Sequence, residues 1–419
     1  MSNLYGNAVV GQSGGPTAAI NATLAGVIRG VIEINQRQGA IGKLYGMRNG
    51  IEGLMQERLV DLGIFAEDEQ KLSALELTPA AALGSCRKKL PKHEDDPAFY
   101  EQLLTVFKKY DIRYFFYIGG NDSMDTVSKL SAFVAESGYD MRVMGVPKTI
   151  DNDLNGTDHC PGFGSAAKYI ATSCAEVWQD AHVHDTGMVT VIEIMGRHAG
   201  WLAGSAALAS LVGCGPDLVY LPEVDFDMDE FISSVKAIYD KTGKCMVAVS
   251  EGIHYADGRF VSEAETSATD GFGHAQLGGL AAMLADVIKK QTGAKVRGIE
   301  LSLLQRCGAH LSSKTDVDEA YLAGQTAVEA AVSGMTDKMV AFECDRTNGY
   351  SCKAVLQPLD IVANIEKKVP REWINEAGNG MKQEFIDFVL PLIQGEMDTP
   401  KENALPRFAR LKKVLTTDM

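Results

Sequence analysis

Tyr114-Phe115-Phe116-Tyr117-Ile118-Gly119-Gly120-Asn121-Asp122-Ser123-Met124-Asp125 is the stretch that decides the fold class. Its first five residues are apolar without a break, two glycines follow, and the polar residues after them open an amphipathic helical pattern. A strand with one face in water alternates apolar and polar side chains. One that is apolar at every position is covered on both faces, as in a parallel sheet between helical layers. The pattern recurs along the chain. Ala8–Val10 precedes a glycine turn and a helix whose stripe is Ile20, Leu24, Val27, Ile28 and Val31. Arg142–Val146, Val189–Ile194, Leu218–Leu221, Met246–Val249 and Val296–Leu301 read as further strands. Helices are expected over Met228–Lys241, His274–Gln291, Asp316–Val332 and Glu372–Ile393. The uncharged stretch Ala199–Pro216, rich in Ala, Gly and Ser, reads as a buried helix rather than a membrane span. This is a mostly parallel α/β architecture, and in such sheets ligands bind beyond the carboxyl ends of the strands.

Composition narrows the function classes. At 419 residues the chain is long enough for about two or three domains. With 46% hydrophobic residues and no low-complexity tract, it is not a disordered protein. Forty Lys and Arg stand against 55 Asp and Glu, a formal charge of −15, and no basic cluster could neutralise a nucleic-acid backbone. The same sign disfavours an anionic membrane, whereas a few local Arg and Lys can still dominate one cleft that takes a small phosphorylated ligand. The eight cysteines (86, 160, 174, 214, 245, 307, 344 and 352) form no CxxC pair and no metal-ligand spacing, so buried free thiols are expected. The amino-terminal segment lacks the form of a signal peptide, and a cytoplasmic protein is expected.

Four strand ends carry unusual residues. Gly11-Gln12-Ser13-Gly14-Gly15-Pro16 lies between a strand and a helix, where glycine lets backbone amides approach a phosphate and the helix terminus adds positive charge. It is not a Walker loop, and a tight strand-to-helix turn is an equal reading. Gly119–Asp125 suits an anion or metal site, or simple capping of its helix by Asp122 or Ser123. Pro147-Lys148-Thr149-Ile150-Asp151-Asn152-Asp153 places two carboxylates two residues apart, one able to act as a general base and the other to hold a metal or orient the first, with a solvated acidic turn as the plainer reading. Met195-Gly196-Arg197-His198 joins a glycine at a strand end to an arginine fork suited to phosphate or hydroxyls, while His198 reads as a structural residue at a helix start. Two other patterns are set aside as structural. Gly162-Phe163-Gly164-Ser165-Ala166-Ala167 lacks the strand that a dinucleotide fingerprint needs, and nothing near His182-Val183-His184 and Asp185 completes a metal site.

In order and spacing these segments resemble the phosphofructokinase superfamily. The matching residues are Gly14-Gly15, Leu83–Arg87, Gly119-Gly120-Asn121, Thr149–Asp153, Met195–Arg197, Glu251-Gly252, Arg297 and Gln305-Arg306. The resemblance spans about Asn7 to Asp318. It implies two Rossmann-like three-layer α/β domains with mostly parallel sheets and the active site in the cleft between them. The first domain is expected to hold 1–163 plus about 305–355 and to bind the donor. The second is expected to hold 164–304 plus about 356–419, binding the sugar phosphate and carrying the carboxyl-terminal helices.

The family has ATP-dependent and pyrophosphate-dependent branches, and this chain is similar to the latter at two positions. ATP enzymes typically carry glycine where Asp122 and Lys148 stand. A carboxylate at 122 would repel and displace a nucleotide α-phosphate, and a lysine at 148 would hold the transferring phosphoryl group. The implied reaction is reversible in-line phosphoryl transfer from pyrophosphate to the 1-hydroxyl of fructose 6-phosphate. In it Asp151 is the base, Lys148 and Arg87 stabilise the moving group, and Gly14 contacts the donor. Thr149, Ile150, Met195, Gly196, Arg197 and Glu251 position the sugar, and Arg297 and Arg306 grip its 6-phosphate. Mg²⁺ is the implied cofactor, with Asn121 and Asp153 as metal ligands, and a homodimer or homotetramer is implied.

Three departures stand out. Asn121 replaces a usual metal-associated Asp, Leu303 replaces a His, and Met188 lies near where many bacterial ATP enzymes have an Arg that reaches a neighbouring subunit's sugar phosphate. Alternatives are an ATP-dependent kinase of the same family, a non-catalytic regulatory subunit, and sedoheptulose 7-phosphate as a second substrate.

Overall fold

A computed structural model describes residues 4–65, 68–183, 185–262, 278–411 and 415. His184 and residues 274–277 of the expected helix His274–Gln291 lie outside the described residues; the helix present there is Leu280–Thr292. In chain order the principal strands are β1 Gly6–Gln12, β2 Ile41–Met47, β3 Leu59–Asp61, β4 Ile112–Gly119, β5 Arg142–Pro147, β6 Met188–Ile194, β7 Leu218–Tyr220, β8 Lys244–Ser250, β9 Val296–Glu300, β10 Lys338–Asp345 and β11 Ser351–Pro358.

The chain divides into two units. One holds Met1–Gly162, Ser312–Ile365 and Gly395–Met419, and the other Phe163–Leu311 and Glu366–Gln394. Residues from Gly395 onward therefore join the first unit, whereas the sequence assigned 356–419 to the second. The first unit has a seven-stranded sheet ordered β11-β10-β5-β4-β1-β2-β3, parallel except for its edge pairs β10/β11 and β2/β3. Strand β4 explains the unbroken apolar run. Tyr114, Phe116 and Ile118 enter the core on one face, and Phe115 and Tyr117 enter the core on the other. Burying each such side chain contributes about 1.5–3 kcal/mol.

The first core is closed by two helices, Ile20–Arg37 and Lys314–Val332, whose crossing depends on reciprocal glycines. A Cβ on Gly26 would lie 2.0 Å from the Tyr321 carbonyl oxygen, and one on Gly324 would lie 2.2 Å from that of Thr23. The helix contributed by the returning chain can dock only because both positions lack a side chain. Beyond β1 and β4 the strand order runs outward in opposite directions, so their carboxyl ends form a switch point where α/β sheets bind ligands.

The second unit has an all-parallel sheet ordered β7-β8-β6-β9. Every residue of β6 is buried. The carboxyl ends of β6 and β8 lie side by side, Ile194 opposite Ser250.

Two expected helices differ. Ala199–Pro216 forms a short helix, Trp201–Ser205, and then a 3-10 segment, Ala206–Val212. Glu372–Ile393 is not one helix but a 3-10 turn at Arg371–Trp373, the helix Gln383–Val389 and a 3-10 end at Leu390–Ile393. Asn375, Gly378 and Gly380 interrupt it with a tight turn, in which Asn375 Oδ1 accepts from the Asn379 N–H at 3.0 Å. No described helix is long and apolar enough to cross a membrane.

Candidate active site

In the first unit the switch point gathers three segments. The turn after β1 is anchored from below by Gln12, whose amide donates to Asn21 Oδ1 at 2.9 Å and whose carbonyl accepts from the Leu83 N–H at 2.9 Å. Through this pair the 83–87 segment is tied to the glycine turn. The Gly14 N–H donates to the Cys86 carbonyl at 3.1 Å, and Ser85 Oγ donates to the Gly14 carbonyl at 2.6 Å. Gly14 has φ +74°, a conformation that glycine adopts without strain. Arg87 is exposed at the end of this segment.

Lys148 is the central cation. Only 2% of it is exposed, yet its ammonium donates to the Gly15 carbonyl at 2.6 Å and lies 3.3 Å from where a Gly14 Cβ would stand. The buried charge is therefore pressed against the glycine turn. Asp122 lies one residue into the helix Asn121–Ser137 and pairs with Lys89 at 3.1 Å. Gly119 has no room for a side chain, since a Cβ there would lie 1.9 Å from Ser123 Oγ. Ser123 Oγ in turn bonds Ser13 Oγ at 2.9 Å and joins the two glycine turns.

The loop after Lys148 carries both carboxylates. Thr149 and Ile150 are buried, and Asp151 and Asp153 are half-buried. The Asp151 N–H donates to Thr149 Oγ1 at 3.1 Å, which fixes the start of the loop. Between the carboxylates Asn152 is fully buried at φ +54° and accepts from the Cys160 N–H at 2.9 Å through Oδ1. This turned, buried residue sets Asp151 and Asp153 apart along the loop. Asn121 is engaged by the 364–365 segment. Its Oδ1 accepts from the Asn364 N–H at 2.6 Å and its amide donates to the Ile365 carbonyl at 3.0 Å, so both ends of the carboxamide pin the 364–365 turn. The hard oxygen donors that suit magnesium are the Asp151 and Asp153 carboxylates.

In the second unit the turn after β6 is equally constrained. Gly196 has φ +133°, and a Cβ there would lie 2.7 Å from the Ala199 carbonyl oxygen. Its N–H donates to Glu251 Oε1 at 3.2 Å, and the Met195 N–H donates to Oε1 of the buried Gln305 at 3.3 Å. Burial pushes the Glu251 carboxyl up, while the Gly196 N–H and the charges of Arg197 and Arg306 pull it back. Met195, Gly196, Arg197, Glu251 and Arg306 are thus brought together. Arg297 is not. On β9 it is paired with Thr190, toward the amino end of the sheet, and its guanidinium reaches Asp180 at 3.2 Å. It is exposed there and lies away from Gly196 within the same unit.

The sequence also missed residues. Lys89 partners Asp122, and Glu193 is a buried carboxyl on β6 that burial pushes up to about 7. Of the patterns set aside, Gly162 forms an isolated bridge with Thr149, and the His182 ring stacks on Trp178 at 3.7 Å. Among the described residues, the cluster whose ligand atoms could hold a metal is Asp158, His159 and Cys344, which no local motif announces.

The first unit thus holds a buried lysine on a glycine turn at a switch point with an acidic loop after it, and the second holds a Met-Gly-Arg turn backed by a glutamate. The chain belongs to the phosphofructokinase family, whose profile matches residues 7–331. Within it, the chain is 46% identical over 410 residues to a pyrophosphate–fructose 6-phosphate 1-phosphotransferase of Halomonas elongata, covering 97% of this chain and 96% of that protein. It is 44% identical to the protein of the same name from Xanthomonas campestris, covering 98% of this chain and 97% of that one. A crystal structure of pyrophosphate-dependent phosphofructokinase from Nitrosospira multiformis matches with a TM-score of 0.88 at 41% identity, covering 98% of this chain and 97% of the other.

Proposed function

We propose that the protein transfers a phosphoryl group reversibly between pyrophosphate and the 1-hydroxyl of fructose 6-phosphate, yielding fructose 1,6-bisphosphate and phosphate. The observation that carries this reading is the buried Lys148 ammonium, 2.6 Å from the Gly15 carbonyl in a glycine turn with the Asp122 helix start beside it. Such a site supplies concentrated positive charge to a small, highly charged donor. The Asp122 carboxylate disfavours the extra phosphate and nucleoside of ATP by like-charge repulsion.

Phosphoryl transfer depends mainly on positioning and charge stabilisation. Asp151 takes the proton from the 1-hydroxyl as its oxygen attacks phosphorus, and phosphate departs from the opposite side. Lys148 stabilises the charge that develops on the moving group, with Arg87 as a second cation. Thr149, Ile150, Met195, Gly196, Arg197 and Glu251 orient the sugar, and Arg306 binds its 6-phosphate. Arg297 is assigned no part in this set within one chain. Asp153 and Asp151 would hold magnesium, which when bound neutralises pyrophosphate oxygens. A cytoplasmic homodimer or homotetramer completes the proposal, supported by family membership alone.

The test holds fructose 6-phosphate and Mg²⁺ fixed and offers pyrophosphate or ATP. Bisphosphate formed from pyrophosphate, and not from ATP, is expected. Product from ATP alone would overturn the donor assignment.

A further inference from the structure

The first unit carries a second cluster of reactive groups, outside everything used above. Cys344 on β10 and Cys352 on β11 are directly opposed across an antiparallel pair. Opposed residues in such a pair have Cα atoms about 4.5–5.5 Å apart. That falls inside the range of about 4.4–6.8 Å over which disulfides form. Cys344 Sγ lies 3.7 Å from His159 Nδ1 and 3.5 Å from the Tyr350 hydroxyl. Both thiols are half-buried, unlike Cys86, Cys160, Cys174, Cys214 and Cys245, which are buried as the sequence predicts. Cys307 is exposed.

The imidazole is itself held. Asp158 Oδ1 lies 3.0 Å from its Nδ1 and Glu319 Oε2 lies 2.7 Å from its Nε2, while the ring stacks on Phe342. Burial works against its charge, but contacts with Asp158, Cys344 and Glu319 prevail and keep it protonated well above the usual histidine range. The Cys352 thiol above all, and then His159 and Tyr350 against the effect of burial, hold Cys344 below the ordinary thiol range. Cys352 is shifted the other way, upward, by its neighbour and by burial. A low-pKa, accessible thiolate beside a second thiol is the constitution of a redox-responsive cysteine. A metal suits the cluster less well. Both Asp158 oxygens are taken by the Arg346 fork at 2.7 and 2.8 Å, and a cation would face that guanidinium and the imidazolium.

We propose that Cys344 and Cys352 form a reversible disulfide site, with Cys344 the thiolate that attacks peroxide and Cys352 the resolving thiol. The Cys344 thiolate attacks one oxygen of hydrogen peroxide, the O–O bond breaks, and with one proton taken up the products are a sulfenic acid and water. The Cys352 sulfur then displaces the sulfenic oxygen, which leaves with the thiol proton as a second water. Overall two thiols and one peroxide give one disulfide and two waters, and a dithiol reductant reverses the bond. The groups that face Cys344 are Asp158 and His159 from the loop after β5, Glu319 from the helix Lys314–Val332, Arg346 and Tyr350 from the hairpin turn, and Cys352 from β11.

The test is chemical and independent of phosphoryl transfer, so its failure and a failure of the proposed function are separable. The full chain is treated with graded hydrogen peroxide, remaining thiols are alkylated, and trypsin cleaves after Lys338, Arg346 and Lys353. The expected result is a linked peptide pair, 339–346 with 347–353, formed at lower peroxide than any oxidation of the exposed Cys307 and lost on adding dithiothreitol. Cys352→Ser should instead leave Cys344 as a sulfenic acid trapped by dimedone. In untreated protein the alkylation rate of Cys344 should rise through a midpoint at or below about pH 7.5, against about 8.5 for an ordinary thiol. Two unlinked thiols after Cys307 has been oxidised, or an ordinary midpoint, would overturn the proposal. So would stoichiometric zinc that protects Cys344 until a chelator removes it.

Discussion

Replacing Lys148 by methionine separates charge from volume at the centre of the candidate site. The unbranched stem is kept and only the ammonium is lost. Because that ammonium is almost wholly buried against the glycine turn, bulk solvent is poorly placed to compensate for its loss. Removing one preorganised electrostatic stabiliser of a transition state typically lowers kcat by about 10²–10³, or about 2.7–4 kcal/mol. The stability cost should be much smaller. The Gly15 carbonyl loses a donor, worth about 1–3 kcal/mol if left unpaired. Against this, desolvation of a buried ammonium is itself unfavourable, and that penalty disappears. The assay couples fructose 1,6-bisphosphate formation to aldolase at saturating pyrophosphate, with thermal unfolding measured alongside. We expect kcat to fall by at least about a hundredfold while Tm moves by a few degrees and the KM for fructose 6-phosphate stays within a few-fold, because most of the sugar set (Met195, Gly196, Arg197, Glu251 and Arg306) resides in the second unit. Lys148→Arg should not restore turnover, since the side chain is 2% exposed with its Nζ already 2.6 Å from the Gly15 carbonyl, and a larger planar fork needs more room. A methionine variant with intact folding and kcat within tenfold of the parent would refute the role assigned to Lys148.

Two other outcomes follow from the same geometry. Asp151→Ser should lower turnover by about 10²–10⁴ while fructose 6-phosphate still binds, measured by calorimetry beside the kinetic assay, and near-normal turnover would remove Asp151 as the base. Glu193→Gln should flatten the pH dependence of stability. Burial first, then the Glu300 and Glu251 charges, raise its pKa from 4.5 to about 7, so its contribution is fully present below about pH 4.5 and lost as pH rises through 7. At about 1.36 kcal/mol per unit this amounts to about 3 kcal/mol, so urea unfolding should show the variant gaining on the parent from pH 5 to 8; a gap constant with pH would refute it.

Much of the architecture was legible because its causes are local. An unbroken apolar run such as Tyr114–Ile118 has one good solution, burial on both faces, and the glycines after it mark where backbone must pass close to something else. Thr149–Asp153 and Met195–Arg197 were legible for the same reason, since each motif is contiguous and sits at a strand end. The carboxyl-terminal segment was not. The apolar residues between 372 and 393 imitate a helical stripe, but Asn375, Gly378 and Gly380 make a turn whose bonds outweigh the periodicity.

The chain by itself determined the fold class, the family, and the strand-end motifs that carry the candidate site, because covalent order and residue chemistry specify them within a few positions. Tertiary structure alone decided which side chains act together. Strand polarity and register carried Arg297 to the amino end of its sheet, away from Gly196, and a turn at 364–365 occupied Asn121. Positions 159, 319, 344 and 352 converge only because a returning helix and an edge hairpin pack beside the loop after β5. The physical reason is that contact energies act over a few ångströms of space, and residues 160 or 185 positions apart in sequence share no local signal that they will meet.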